Sequence, residues 1–286
     1  MTTRQRTGGR LRAAARSAVE GLASRLARPL PAADLAAPAV VFAPHQDDET
    51  LGCGGLIALK RAAGVPVTVV FVTDGRTSHA PFLDGDTLAR RRRDEAVAAC
   101  GALGVAAEQV VFLEFRDGEL TAHVEAAAER IAGLLRERVD HLLLAPYRGD
   151  TTADHRATLD AVLGAVARLE PGRTLTLLEY PVWFWHHWPW VCPPVARRLH
   201  LPRVVVQGLT AAGCRLRDLR YRVDVSEVLT IKRRALACHA TQTARPADQP
   251  GWPVLADVAG GQWLAVFFSG REHYRRRRLA PGRARR

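Results

Sequence analysis

His45, Gln46, Asp47 and Asp48 put an imidazole and two carboxylates within four consecutive residues. Both group types are good zinc ligands, and a catalytic zinc usually takes three protein ligands and keeps one position open. A third ligand must come from elsewhere. His155, which closes the polar stretch Asp150-Thr151-Thr152-Ala153-Asp154-His155, is the best-placed residue of suitable type. Adjacent aspartates cannot easily serve as equivalent ligands, so one of Asp47 and Asp48 is expected to bind the ion and the other to act as a general base. Asp47-Asp48-Glu49 alone would read more simply as a helix N-terminal cluster that offsets the helix dipole. The histidine and Pro44, placed directly after an apolar run, favour chemistry.

Such residues need a frame that brings distant loops together. Short apolar runs at 39–43, 66–73, 109–115, 141–145 and 173–180 alternate with helical patterns at 54–63, 86–103, 121–138 and 154–169. Continuous apolar strands alternating with helices predict an α/β fold with a mostly parallel sheet covered on both faces. In such sheets ligands bind beyond the carboxyl ends of the strands. The polar clusters around His45, Asp74–Arg76, Asp117 and Asp150–His155 all fall at those ends. Beyond residue 180 the pattern is less regular and reads as a C-terminal elaboration, with strands near 203–207 and 221–225 and a helix through 225–238. An amphipathic helix is expected over 9–28. The expected division is an N-terminal helix (1–30), a main domain (31–275) and a solvated basic tail (276–286).

Composition narrows the function classes. The chain has 286 residues, 48% of them hydrophobic and 24% charged, enough apolar material for a large core. Its net charge of +12 is almost all arginine, since Lys60 and Lys232 are the only lysines, and asparagine is absent. That bias points to a GC-rich coding sequence, and with no nucleic-acid-binding motif present, no specific nucleic-acid partner is expected. Five scattered cysteines lack metal spacing and suit a reducing compartment. There is no apolar run of the ~20 residues a membrane span needs, and no secretory leader pattern. A soluble, cytoplasmic protein acting on a small molecule is the expectation.

Ala43-Pro-His-Gln-Asp-Asp-Glu-Thr-Leu-Gly-Cys-Gly-Gly55 resembles the opening signature of the PIG-L/LmbE-like deacetylases. Residues 150–155 resemble that family's second metal motif, which normally ends His-x-Asp-His, and 232–242 (KRRALACHATQ) is similar to its C-terminal element. The likeness extends over roughly residues 38–243. It implies a Rossmann-like fold and zinc-dependent removal of N-acyl groups, commonly acetyl from amino sugars. By position it implies His45, Asp48 and His155 as zinc ligands and Asp47 as the base.

One departure matters. The family has a histidine, credited with stabilising the oxyanion, where this chain has Thr152, so Asp154, which would orient that histidine, is expected to lose its partner. His79, His186 and His187 are candidate substitutes, and Arg76, Asp117, Thr152, Trp183 and His186 are candidate substrate contacts. The aromatic segment 180–190 is expected either to cover the sheet or to stack on a sugar, acyl or aglycone group. An amidase acting on a thiol–sugar conjugate, and a metal-retaining binding protein that Thr152 has impaired, are the competing functions.

Overall fold

A computed structural model describes residues 3–138, 142–170, 174–192 and 201–280. Its strands are β1 (Arg28–Pro29), β2 (Ala39–Ala43), β3 (Val67–Thr73), β4 (Val110–Phe115), β5 (Leu142–Pro146), β6 (Leu175–Tyr180), β7 (Tyr221–Asp224) and β8 (Arg271–Leu279). They form one sheet in the order β1-β7-β8-β6-β5-β2-β3-β4, parallel except where β8 pairs with β6 and β7. Side-chain alternation explains how both faces are covered. Val41 and Ala43 join one core cluster while Val40 and Phe42 join the other, and Val69/Phe71 against Val70/Val72 repeat the pattern. The mostly parallel α/β architecture expected from the apolar runs is therefore present, although His141 and Arg173 lie outside the described residues.

From β2 the chain steps outward through β3 to β4, whereas β5 and β6 lie on the other side of β2. The order reverses between β2 and β5, and the loops leaving these two strands part to open a crevice. The helices α1 (Thr3–Leu26), α2 (Ala32–Ala36), α3 (Asp48–Ala62), α4 (Gly85–Ala102), α5 (Val124–Arg136) and α6 (Ala153–Ala167) follow in chain order. α3 starts at the β2 end of the crevice and α6 follows the β5 loop. Gly52 lets α3 close on the sheet, because a Cβ there would lie 2.1 Å from Cδ2 of Tyr180.

Two expectations need correction. Residues 203–207 belong to the helix Leu201–Arg217, not to a strand. The β-branched run Val204-Val205-Val206 looks extended, but Gly208, Ala211, Ala212 and Arg215 are buried at helical spacing, and that periodicity decides. Likewise, Arg276–Leu279 do not belong to a solvated tail but form part of β8; residues 281–286 lie outside the described residues. Acidic partners make the insertion tolerable: Arg277 reaches the buried Glu179 at 2.9 Å, and Arg276 Nε reaches Asp34 at 2.5 Å. Such pairing offsets the cost of taking the charges out of water.

β8 also carries a pH-sensitive group. Burial, then the neighbouring charges of Arg215, Arg271 and Arg222, hold the His273 pKa well below its usual value. The folded ring resists protonation while the unfolded one accepts it, so this contribution to stability is present above the ordinary histidine pKa and is lost as pH falls through it. Between pH 7 and pH 5 this group by itself lowers Tm. His273→Gln should remove about 2–4 °C of that drop, the scale set by ~1 kcal/mol in a chain of this size. Identical slopes in thermal melts of the two proteins would refute it.

Candidate functional site

The loop leaving β2 is tied down before it reaches the helix. Thr73 donates to the Pro44 carbonyl through its N–H (3.0 Å) and its hydroxyl (2.8 Å), and Gln46 Nε2 donates to Thr73 O at 2.7 Å. Arg92 holds the Gln46 carbonyl at 2.9 Å. Between these anchors Asp47 adopts φ = 146°, a conformation that disfavours a Cβ and costs on the order of 1–3 kcal/mol. The Asp47 N–H is satisfied by Glu49 Oε2 at 3.0 Å, and the His45 N–H by Asp48 Oδ2 at 2.9 Å.

Asp48 Oδ2 lies 3.3 Å from His45 Nδ1 and 3.2 Å from His155 Nε2. One donor atom each from His45, Asp48 and His155 falls within 4.8 Å of the others, so the three residues that the sequence singled out as ligands come together. A partner the sequence reading missed fixes the His155 tautomer. Asp150 accepts from His155 Nδ1 at 2.8 Å and is itself held by the amides of Val182, Trp183 and Phe184. With Nδ1 donating, the buried Nε2 of His155 presents its lone pair and has no hydrogen-bond partner. Asp47, Asp48, Asp117, Asp150 and Asp154 are all buried here. An orphaned imidazole nitrogen facing a carboxylate, amid excess buried negative charge, fits a divalent cation. Without one, protons carry the positive charge. Burial opposes it, but Asp48 and Asp150 push the His155 pKa up to about 9.

A second donor set shares His45, whose Nε2 lies 3.2 Å from Asp117 Oδ1 and 3.3 Å from Asp154 Oδ2. Asp154 has thus not lost its partner, as expected from Thr152. It turns instead to His45 and to the Gly118 N–H at 2.7 Å, while its Oδ1 is buried without a partner. Asp47 behaves differently from Asp48. Burial, then the Asp48 charge, raises the Asp47 pKa to about 7 against the pull of Arg92, His239 and His45, whereas His155 and His45 overcome burial to hold Asp48 below the usual carboxylate range. Gln242 Nε2 donates to Asp47 Oδ2, and His239 Nε2 meets Glu49 Oε1 at 2.9 Å. The end of the helix Leu229–Cys238 and the short Ala240–Thr243 therefore reach the site, a role the sequence left open against simple packing.

These groups floor a cavity of about 330 Å³. Asp117, Thr152 and Trp183 line it, and Pro253, Val254, Leu255 and Val258 add an apolar wall that the sequence did not reveal. Arg76 does not line it: its guanidinium is bound to Asp74 at 2.6 Å and faces a neighbouring cleft. His186 also lies outside the lining, 6.3 Å edge-on from Trp183. Of the candidate replacements for the family histidine, only His79 borders the cavity. Its Nε2 must donate to the Pro253 carbonyl (3.0 Å), leaving Nδ1 to accept from Ser78 (2.8 Å), so neither nitrogen is free to donate. His187 Nδ1 is held by the Phe184 carbonyl at 2.9 Å.

Residues 40–166, from β2 through α6, match the PIG-L family, described as GlcNAc-PI de-N-acetylase. Over 214 residues the chain is 28% identical to a probable N-acetyl-alpha-D-glucosaminyl L-malate deacetylase 2 of Bacillus subtilis, covering 71% of this chain and 82% of that one. It is 30% identical over 253 residues to a 1D-myo-inositol 2-acetamido-2-deoxy-alpha-D-glucopyranoside deacetylase of Nocardia farcinica, covering 72% and 80%. The N,N'-diacetylchitobiose deacetylase structure from Pyrococcus horikoshii superposes with a TM-score of 0.59 at 20% identity, over 86% of this chain and 84% of that one, and supports the fold alone. Among the described residues no helix is long and apolar enough to cross a membrane. With four fifths of the Nocardia relative matched at that identity, and the family match running through the loops of both β2 and β5, this chain belongs to the PIG-L/LmbE-type deacetylase family.

Proposed function

We propose that this chain is a zinc-dependent N-deacetylase that acts on the N-acetyl group of an amino sugar or of a small molecule carrying one. The observation that carries the proposal is the convergence of His45, Asp48 and His155 on the floor of a cavity beside a carboxylate poised near neutrality. His45 Nδ1, Asp48 Oδ2 and His155 Nε2 would hold the ion, and Asp150 fixes the ring of His155. A zinc ion bound there supplies Lewis-acid polarisation of an amide carbonyl and of water.

The remaining chemistry belongs to side chains. Gln242 occupies Asp47 Oδ2, which leaves Oδ1 to take the proton of the attacking water and pass it to the leaving nitrogen. A pKa near 7 suits both halves of that transfer. Asp117 and Trp183 offer a carboxylate and an indole face to a sugar ring, while the wall from Pro253 to Val258 accommodates less polar parts of the substrate. Release of amine from a panel of N-acetyl amino sugars, with and without added zinc, tests the assignment. Stoichiometric zinc with no hydrolysis across the panel would favour a binding protein.

Thr152 gives a second test. Its hydroxyl is buried without a partner and is a weaker oxyanion donor than an imidazole. Losing such a donor typically costs about 3–4 kcal/mol, or 10²–10³ in rate. Thr152→His should raise kcat at least about tenfold, because a ring two residues before Asp154 can find the unused Oδ1 as its acceptor. A wild type that already turns over rapidly, and slows on this substitution, would refute the assignment.

A further inference from the structure

The net charge of +12 is unevenly placed. Thr3–Leu26 carries six arginines and a single acid, Glu20, while Leu201–Arg217 carries three arginines and no acid. The two helices pack against each other. Glu20 is already engaged by Arg215 at 3.0 Å and by Trp190 Nε1 at 2.8 Å, and Arg217 is paired with Asp218 at 2.9 Å, so neither helix keeps an acid to balance Arg10, Arg16, Arg25 or Arg203. A GC-rich composition explains why the cations are arginines. It does not explain why so many fall on two adjacent helices.

The apolar surface is placed just as unevenly. Every exposed large hydrophobic side chain among the described residues lies on these helices: Leu11 (67% exposed), Leu22 (47%) and Leu26 (37%) on one, Val205 (41%), Val206 (62%) and Leu209 (62%) on the other. At ~100° per residue the three leucines fall within about 60° of one another, forming a stripe rather than a scatter. The deacetylase site uses none of these six side chains.

We infer that the face formed by Thr3–Leu26 and Leu201–Arg217 docks on an anionic lipid surface, with both helices lying in the interface. An anionic bilayer answers both features together, since its phosphates take guanidinium groups while its acyl boundary takes leucine and valine. A second copy of the chain meets the apolar requirement but sets arginine-rich helices against their own kind. Nucleic acid meets the charge but leaves the aliphatic side chains in water.

Flotation of the full-length protein with vesicles of phosphatidylcholine alone, and of phosphatidylcholine with phosphatidylglycerol, tests the inference directly. Binding is expected only to the anionic vesicles, and should fall as salt is raised. A cation near an anionic surface strengthens binding about fivefold, so Arg10→Glu with Arg25→Glu should weaken it by roughly 10²-fold. Leu22→Asp with Leu209→Asp should weaken it at least ~10-fold through lost apolar burial. All four positions are exposed, and circular dichroism should confirm unchanged folding. Equal binding to both vesicle types, or full binding by the leucine variant, would overturn the inference. So would absence of vesicle binding together with a dimer that the leucine variant dissolves.

Discussion

His155→Ala should abolish stoichiometric binding of a divalent ion and lower kcat/KM by roughly 10³-fold or more, because several kcal/mol of transition-state charge stabilisation would go with the ion. Asp48→Ala should match it, since Asp48 Oδ2 is the atom that both imidazoles face. Asp150→Asn should be milder, losing about 10–100-fold, the usual scale for a group that only orients a ligand. His155 also separates the two donor sets around His45, as it belongs to one and not to the other. Metal analysis of the purified variants decides between them. If Asp117→Asn empties the protein while His155→Ala does not, the ion belongs with Asp117 and Asp154.

Asp47→Asn should instead keep the ion and lose turnover, with kcat down by about 10²–10⁴, the range general acid–base catalysis contributes. Asparagine suits this position: it tolerates positive φ better than most residues and preserves an acceptor for Gln242. The variant should also melt no lower than wild type at neutral pH. Burial and the Asp48 charge raise the Asp47 pKa, so ionising Asp47 destabilises the folded state, and a neutral amide removes that strain. Steady-state kinetics, metal content and a thermal melt on one preparation suffice. Equal loss of metal from Asp47→Asn and Asp48→Asn would show the roles of the two neighbours to be misassigned.

The central strands were legible because burial on both faces leaves continuous apolar runs, as in Val67–Thr73. His45, Asp48 and His155 were legible for a related reason: polar residues clustered directly after such runs stand out, and the strand order brings the β2 and β5 loops together. Asp150 was not legible as an orienting group. Its role depends on three amides of residues 182–184 turning toward it, which no local pattern encodes. The partner exchange of Asp154 was hidden likewise, since His45 lies 109 residues away in sequence. Arg76 and His186 illustrate the opposite error. Each is chemically capable and lies near a strand end, yet Asp74 takes the first and the turn after Trp183 carries the second away from the cavity. Run composition misled twice more: valines stood in a helix whose buried positions recur at helical spacing, and arginines stood in a strand whose pairing partners Glu179 and Asp34 are remote.

The placement of β8 has a consequence for assembly. It is the latest of the described strands, yet it lies between β6 and β7, and among the described residues β1 and β7 join the rest of the sheet only through it. Until Arg271–Leu279 has emerged and threaded its antiparallel register, the nascent chain holds a five-stranded parallel block with the bare edge of β6 exposed. Unpaired edges of this kind invite intermolecular pairing. Ribosome-bound chains stopped before β8 should therefore lean on chaperones, while pairing of β8 acts as the step that commits the sheet to its native order.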